Sequence, residues 1–221
     1  MQFLNPSPTI YECPVIDFSK NGCVWQIDNF FTDEGLRLLW NKRQTILEYI
    51  EKSFSTLSVA IPNNDELVPS RPTKNWFDMM INDYRIFLEP VDFDISKEVL
   101  SLYHSYRPLS VFGNHKMTYP NGFDIKVRTQ LGITLPRSLY AHHSDAEWKF
   151  MSMIIYLGES GDGTRFLPYR DSNYSSSIEI PWKNNCGYFF FSTDSSWHFY
   201  QNTSWTDLRS ALIVNVVPTN R

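Results

Sequence analysis

Four residues in the last third of the chain have types and spacing that could hold a metal ion and an anion side by side: His143, Asp145, His198 and Arg209. His143 and Asp145 are two positions apart, and in an extended segment such side chains project to the same face. Both can then grip one ion, with a third ligand arriving from a neighbouring strand. His198 is the candidate. It ends the run that starts Gly187-Tyr-Phe-Phe-Phe-Ser, an apolar strand closed by Asp194-Ser195-Ser196. Two imidazoles and one carboxylate on one side of a metal leave the opposite positions open, the arrangement associated with oxygen-activating non-haem Fe(II).

Arg209 supplies the second half. It opens a long apolar run from Asp207 to Val217. Strand alternation puts Arg209, Ala211, Ile213, Asn215 and Val217 on one face and Leu208, Ser210, Leu212, Val214 and Val216 on the other. An arginine on an apolar, inward face is costly unless an anion pairs with it, and its fork suits a carboxylate bidentately. Each residue also has an ordinary explanation: His-Ser-Asp as a surface turn, His198 as a hydrogen-bonded core histidine, Arg209 as a partner of Asp207 or Glu179.

Taken together, His-x-Asp, the Gly163-Thr164 pair, Ser196-Trp197-His198 and an arginine eleven residues on resemble the Fe(II)/2-oxoglutarate-dependent dioxygenases, most closely their prolyl-hydroxylase-like branch. The resemblance covers the last third of the chain well and the rest loosely. It implies a double-stranded β-helix, or jelly roll, with His143, Asp145 and His198 as iron ligands and Arg209 on the distal carboxylate of 2-oxoglutarate. It further implies that oxygen and 2-oxoglutarate take the open iron positions, and that succinate and CO2 leave as a substrate C–H bond is hydroxylated. Lys149 resembles a lysine that often follows His-x-Asp in relatives, although a surface lysine is an equal reading. Arg128 and Gln130 share a face on the preceding strand, where relatives turn polar groups toward the co-substrate. Ala211 departs from the pattern, since many relatives have serine two residues after the arginine. Asp145 tells against the halogenating relatives, which have a small residue there.

The elements that must position these residues follow from pattern. The expected class is mainly β (α+β), a jelly-roll core with flanking N-terminal helices. One domain is expected over residues 1–221, with 1–110 a support region and 111–221 the core. Gly22 to Ile27 reads as a strand. Thr32 before Asp33 and Glu34 is an N-cap with acids in the first turn, opening a helix to near Lys52. Residues 53–92 are irregular and rich in large apolar groups, either a loop over the site's mouth or a core-packing insertion. Asp94 to Ser105 reads as helix. Strands are expected at Val111–Thr118 and Phe123–Leu131, separated by the turn Tyr119-Pro-Asn-Gly122. Phe150–Leu157, Thr164–Leu167, Ile178–Ile180 and Gly187–Phe191 read as short core strands, with a polar loop at Tyr169–Ser177. His142 points away from a site that uses His143, and His104 and His115 have no partner by spacing.

At 221 residues with 42% apolar and 20% charged residues, the chain has the composition of a soluble globular protein. Net charge −4 and a pI near 5.7 argue against general affinity for nucleic acid or anionic membrane. The start lacks the pattern of a signal peptide, and no apolar stretch is long enough to span a bilayer. Cys13, Cys23 and Cys186 are scattered and read as buried thiols of a cytoplasmic protein, where the sequons at Asn173 and Asn202 would have no meaning. Two rival classes stay open: a cupin-like metal protein, isomerase or sugar-binding module, that would not need Arg209, and a catalytically inactive binding module on the same fold.

Overall fold

In a computed structural model, residues 3–17, 23–54, 66–73, 85–91, 95–106, 124–146, 148–159, 161–168, 170, 172–193 and 196–219 are described. Among the described residues thirteen strands and two α-helices follow one another: β1 (Thr9–Asp17), β2 (Cys23–Asp28), α1 (Asp33–Phe54), β3 (Val68–Ser70), β4 (Pro72–Thr73), β5 (Ile86–Pro90), α2 (Ser96–Tyr106), β6 (Ile125–Thr134), β7 (Ser138–His143), β8 (Met151–Leu157), β9 (Thr164–Phe166), β10 (Ile178–Ile180), β11 (Gly187–Phe191), β12 (His198–Asn202) and β13 (Arg209–Pro218). They form an eight-stranded sheet, β1-β2-β11-β8-β13-β6-β5-β4, and a five-stranded sheet, β10-β9-β12-β7-β3. From β6 onward the chain passes repeatedly from one sheet to the other, the strand path that the jelly-roll expectation requires. The N-terminal strands extend the larger sheet at both edges.

The larger sheet has two different faces because its strands alternate. On β8, Met151, Met153, Ile155 and Leu157 join the main core, together with Leu131 and Ile133 of β6, Phe189 and Phe191 of β11, and Leu212, Val214 and Val216 of β13. Both helices cover this face. Thr32 caps α1, its hydroxyl accepting from the Gly35 amide at 3.1 Å. Leu39, Ile46 and Leu47 of α1 are buried in the main core, while Arg43 donates to Ser210 of β13 at 2.9 Å. From α2, Val99 and Tyr103 are buried, and Tyr106 meets Phe189 edge-on. Each such fully buried side chain contributes roughly 1.5–3 kcal/mol.

The other face of the larger sheet looks toward the smaller sheet. There Tyr156, Tyr188, Phe190 and Ala211 pack with Phe166 and Ile180. Alternation therefore assigns β13 as the sequence implies, with Arg209, Ile213 and Asn215 on the inner side.

Two expectations change. His198 does not end the strand of Gly187–Phe191; it opens a separate strand, β12, in the other sheet. The break falls at the polar run from Ser192 to Ser196, and the strands before and after it belong to different sheets. Residues 53–92 contribute three short strands, β3, β4 and β5, in their described parts. The Asn202 sequon is structural: its side-chain amide donates to the carbonyls of Thr134, Leu135 and Asp207, and the residue is buried. The strand expected at Val111–Thr118, its turn and His115 lie outside the described residues.

Candidate metal and anion site

A cavity of about 460 Å³ opens between the inner faces of the two sheets. His143 ends β7 and His198 begins β12, and the two are cross-strand partners. Their rings lie 4.4 Å apart between centroids. Asp145 sits just past β7, where the chain turns back toward β8. One ligand atom from each of the three residues falls within 4.8 Å of the others. Among the described residues this is the one such cluster of histidine, cysteine and carboxylate groups.

Both histidines are oriented from behind. His143 Nδ1 lies 3.0 Å from the Ala141 carbonyl and His198 Nδ1 lies 2.8 Å from the Ser196 carbonyl. A carbonyl can only accept, so each Nδ1 carries the proton and each Nε2 keeps a lone pair. Burial, then the neighbouring His198, pushes the His143 pKa down to about 3. Burial likewise lowers that of His198. Both imidazoles are therefore neutral at ordinary pH, the form that binds metal.

Asp145 is kept ionised against its surroundings. Burial works to raise its pKa, but Lys149, His198 and the hydrogen bonds from Lys149 and Ser152 outweigh it and lower it to about 2. Lys149 Nζ lies 2.6 Å from Oδ1, and the Ser152 hydroxyl bonds Oδ2. A carboxylate has about four lone-pair positions, so these two partners leave room for a cation. Ser152 also lies 3.0 Å from the Asn215 side chain. One hydroxyl proton cannot serve two acceptors, so the consistent arrangement has Ser152 donating to Asp145 and the Asn215 amide donating to Ser152.

Arg209 lies at the other end of the cavity floor and is 5% exposed. Its Nε donates to the Asp162 carbonyl at 3.0 Å and one terminal nitrogen to the Thr164 hydroxyl at 3.2 Å. The guanidinium lies 4.1 Å from the centre of the Tyr200 ring. Among the described residues no carboxylate forms an ion pair with it. The partners that the sequence offered are engaged elsewhere: Glu179 pairs with Arg165, and Asp207 accepts from Ser204 and Thr206. Gly163 makes this clasp possible, since a Cβ there would lie 1.9 Å from the Ile180 carbonyl oxygen.

The remaining candidates fall out unevenly. Arg128, Gln130 and Lys149 line the cavity; Ala211 is buried in the aromatic cluster beneath it. His142 turns outward and meets the Tyr174 hydroxyl at 3.0 Å. Ser152, Tyr140 and Tyr200 were missed. Ser152 had a signal, as the lone polar residue in the apolar run of β8. Tyr140 had none: its ring packs 4.4 Å from that of His143, and burial, then Tyr200 and Asp145, pushes its phenol pKa up.

No protein-family model matches the sequence, and no curated protein matches it. Solved structures do. A prolyl-4-hydroxylase from Pseudomonas putida is 16% identical, with 88% of this chain and 92% of that one covered at a TM-score of 0.51. A viral collagen prolyl hydroxylase from Paramecium Bursaria Chlorella virus-1 is 14% identical, with 89% and 90% covered at a TM-score of 0.45. At such identities the likeness is one of fold, and in fold this chain is similar to the Pseudomonas putida enzyme.

Proposed function

We propose that the protein is an Fe(II)- and 2-oxoglutarate-dependent oxygenase that hydroxylates a C–H bond of an organic substrate, with release of succinate and CO2. One observation carries this reading: the His143–Asp145–His198 cluster shares its cavity with Arg209, a buried guanidinium that has no carboxylate partner among the described residues. A metal-binding isomerase or sugar-binding module on this fold would have no use for such an arginine. The fold of the Pseudomonas putida prolyl-4-hydroxylase supports the reaction class, but the substrate in its name does not transfer at 16% identity.

Nε2 of His143, Nε2 of His198 and the Asp145 carboxylate would hold the iron, and two neutral nitrogens with one oxygen anion suit it. The bound metal supplies oxygen activation. The chain supplies orientation and charge. Ala141 and Ser196 fix the imidazoles through their carbonyls, and Ser152 and Lys149 hold the carboxylate. Arg209 would take the distal carboxylate of 2-oxoglutarate, aimed by Asp162 and Thr164 and backed by Tyr200. Ile154, Tyr188, Phe190 and Ile213 make the walls apolar and dry, which strengthens each of these contacts.

The test is an anaerobic titration of the apoprotein with Fe(II) and then 2-oxoglutarate. A weak visible band near ~500 nm, given by iron-chelated 2-oxo acids, is expected in the parent protein. It should vanish in His198→Ala and weaken in Arg209→Ala. Iron binding without the band in the parent protein would overturn the co-substrate assignment; no metal binding would overturn the whole reading.

A further inference from the structure

We propose that Arg128 anchors a carboxylate of the molecule to be oxidised, so that the substrate is a compact organic acid; this rests on the oxygenase reading above. The register of the larger sheet carries the argument. Arg128 of β6 is the direct partner of Asn215 on β13, which is in turn the partner of Ser152 on β8. Ser152 bonds the Asp145 carboxylate, so this row belongs to the metal end of the cavity. Arg209 is opposite Thr134, six residues further along the same pair of strands. At ~3.3 Å per residue the two arginine backbones stand roughly 20 Å apart. One dicarboxylate that spans from the metal to Arg209 therefore leaves Arg128 out of its reach, level with the metal end of the cavity.

Arg128 is half-buried, faces the cavity, and has no hydrogen bond or ion pair among the described residues. Glu89, on the adjoining strand, cannot serve it. Glu89 pairs with Leu131, whose side chain belongs to the outer core, and so leaves the opposite face of the sheet. The charge around the cavity points the same way. Its described lining holds three cations, Arg128, Lys149 and Arg209, against the single carboxylate of Asp145. A divalent metal and a dicarboxylate bound together leave that excess unchanged. Lys149 is taken by Asp145 and Arg209 would be taken by the co-substrate, so Arg128 is the cation left over, and a guanidinium fork matches a carboxylate. Leu88 and Ile213, which meet over Gly132 on the floor between the two arginines, offer an apolar rest for a short carbon skeleton.

The test uses the full chain loaded with Mn(II) and N-oxalylglycine, a non-reacting stand-in for 2-oxoglutarate, and reads thermal stabilisation. The probes are the proteinogenic amino acids and short dicarboxylic and hydroxy acids, each against its amide, with inorganic phosphate as the control for general anion binding. At least one free acid should stabilise the protein while its amide does not. In Arg128→Gln its apparent Kd should weaken about tenfold or more, as loss of a charge-assisted bond implies, and Arg128→Lys should recover part of the loss. Stabilisation by N-oxalylglycine itself should be unchanged in Arg128→Gln and lost in Arg209→Gln. If Arg128→Gln also loses N-oxalylglycine, Arg128 belongs to the co-substrate and the inference fails while the oxygenase reading stands. Acids that bind parent and Arg128→Gln alike, amides or phosphate that match the acids, or no acid that binds, each overturn the inference. If N-oxalylglycine with Mn(II) stabilises none of the proteins, the oxygenase reading falls and the inference with it.

Discussion

The two ends of the cavity solve opposite electrostatic problems. At one end, two neutral imidazoles and an ionised carboxylate converge within 4.8 Å, a concentration of lone pairs that suits a cation. At the other, a guanidinium 5% exposed is held by a carbonyl, a hydroxyl and aromatic faces, none of which cancels its charge. Each end taken singly has an ordinary explanation. The pair, on one cavity floor, would suit a ligand with a metal-seeking head and an anionic tail. The difference also separates what each end should be sensitive to: metal for the first, dicarboxylate for the second.

That separation can be broken or sharpened by substitution. The largest effect is expected from Asp145→Ala, which removes the only carboxylate of the cluster; Fe(II) affinity by competition with a chelator should fall by more than about a hundredfold. Arg209→Ala should leave metal affinity within about twofold and weaken 2-oxoglutarate by roughly a hundredfold, read by isothermal titration. If it weakens both equally, the ends are not independent. Ser152→Ala, which frees one Asp145 oxygen, should cost about tenfold in metal affinity with little change at the arginine end. Thr164→Val should do the converse on a smaller scale, raising the KM for 2-oxoglutarate severalfold, about the worth of one hydrogen bond. Gly163→Ala should lower stability by about 1–3 kcal/mol in a urea melt through its clash with the Ile180 carbonyl.

How far the sequence could be read differs between these ends too. That His143, Asp145, His198 and Arg209 share one cavity was legible because strand alternation and spacing determine which side chains share a face. Gly187–Phe191 and Ile178–Ile180 were legible because turn signals bound short apolar runs. The origin of His198 was not. The polar run from Ser192 to Ser196 does signal the end of one strand, but nothing local says that the next one joins the other sheet. The pairing of Lys149 and Ser152 with Asp145 was equally hidden, since it depends on β8 lying beside the turn that carries Asp145. Within residues 53–92, β3 and β4 were opaque because two- and three-residue strands are too short for alternation to register.

The cross-strand partnership of His143 and His198 links recognition of an ion to the assembly of the smaller sheet. Alternate residues of a strand face opposite sides, so a slip of one residue between β7 and β12 would turn one imidazole out of the cavity. An ion that needs both nitrogens would bind one alignment and no other, and by binding would favour it. The metal would then act as a proofreader of strand register during folding, as well as a cofactor once folding is complete.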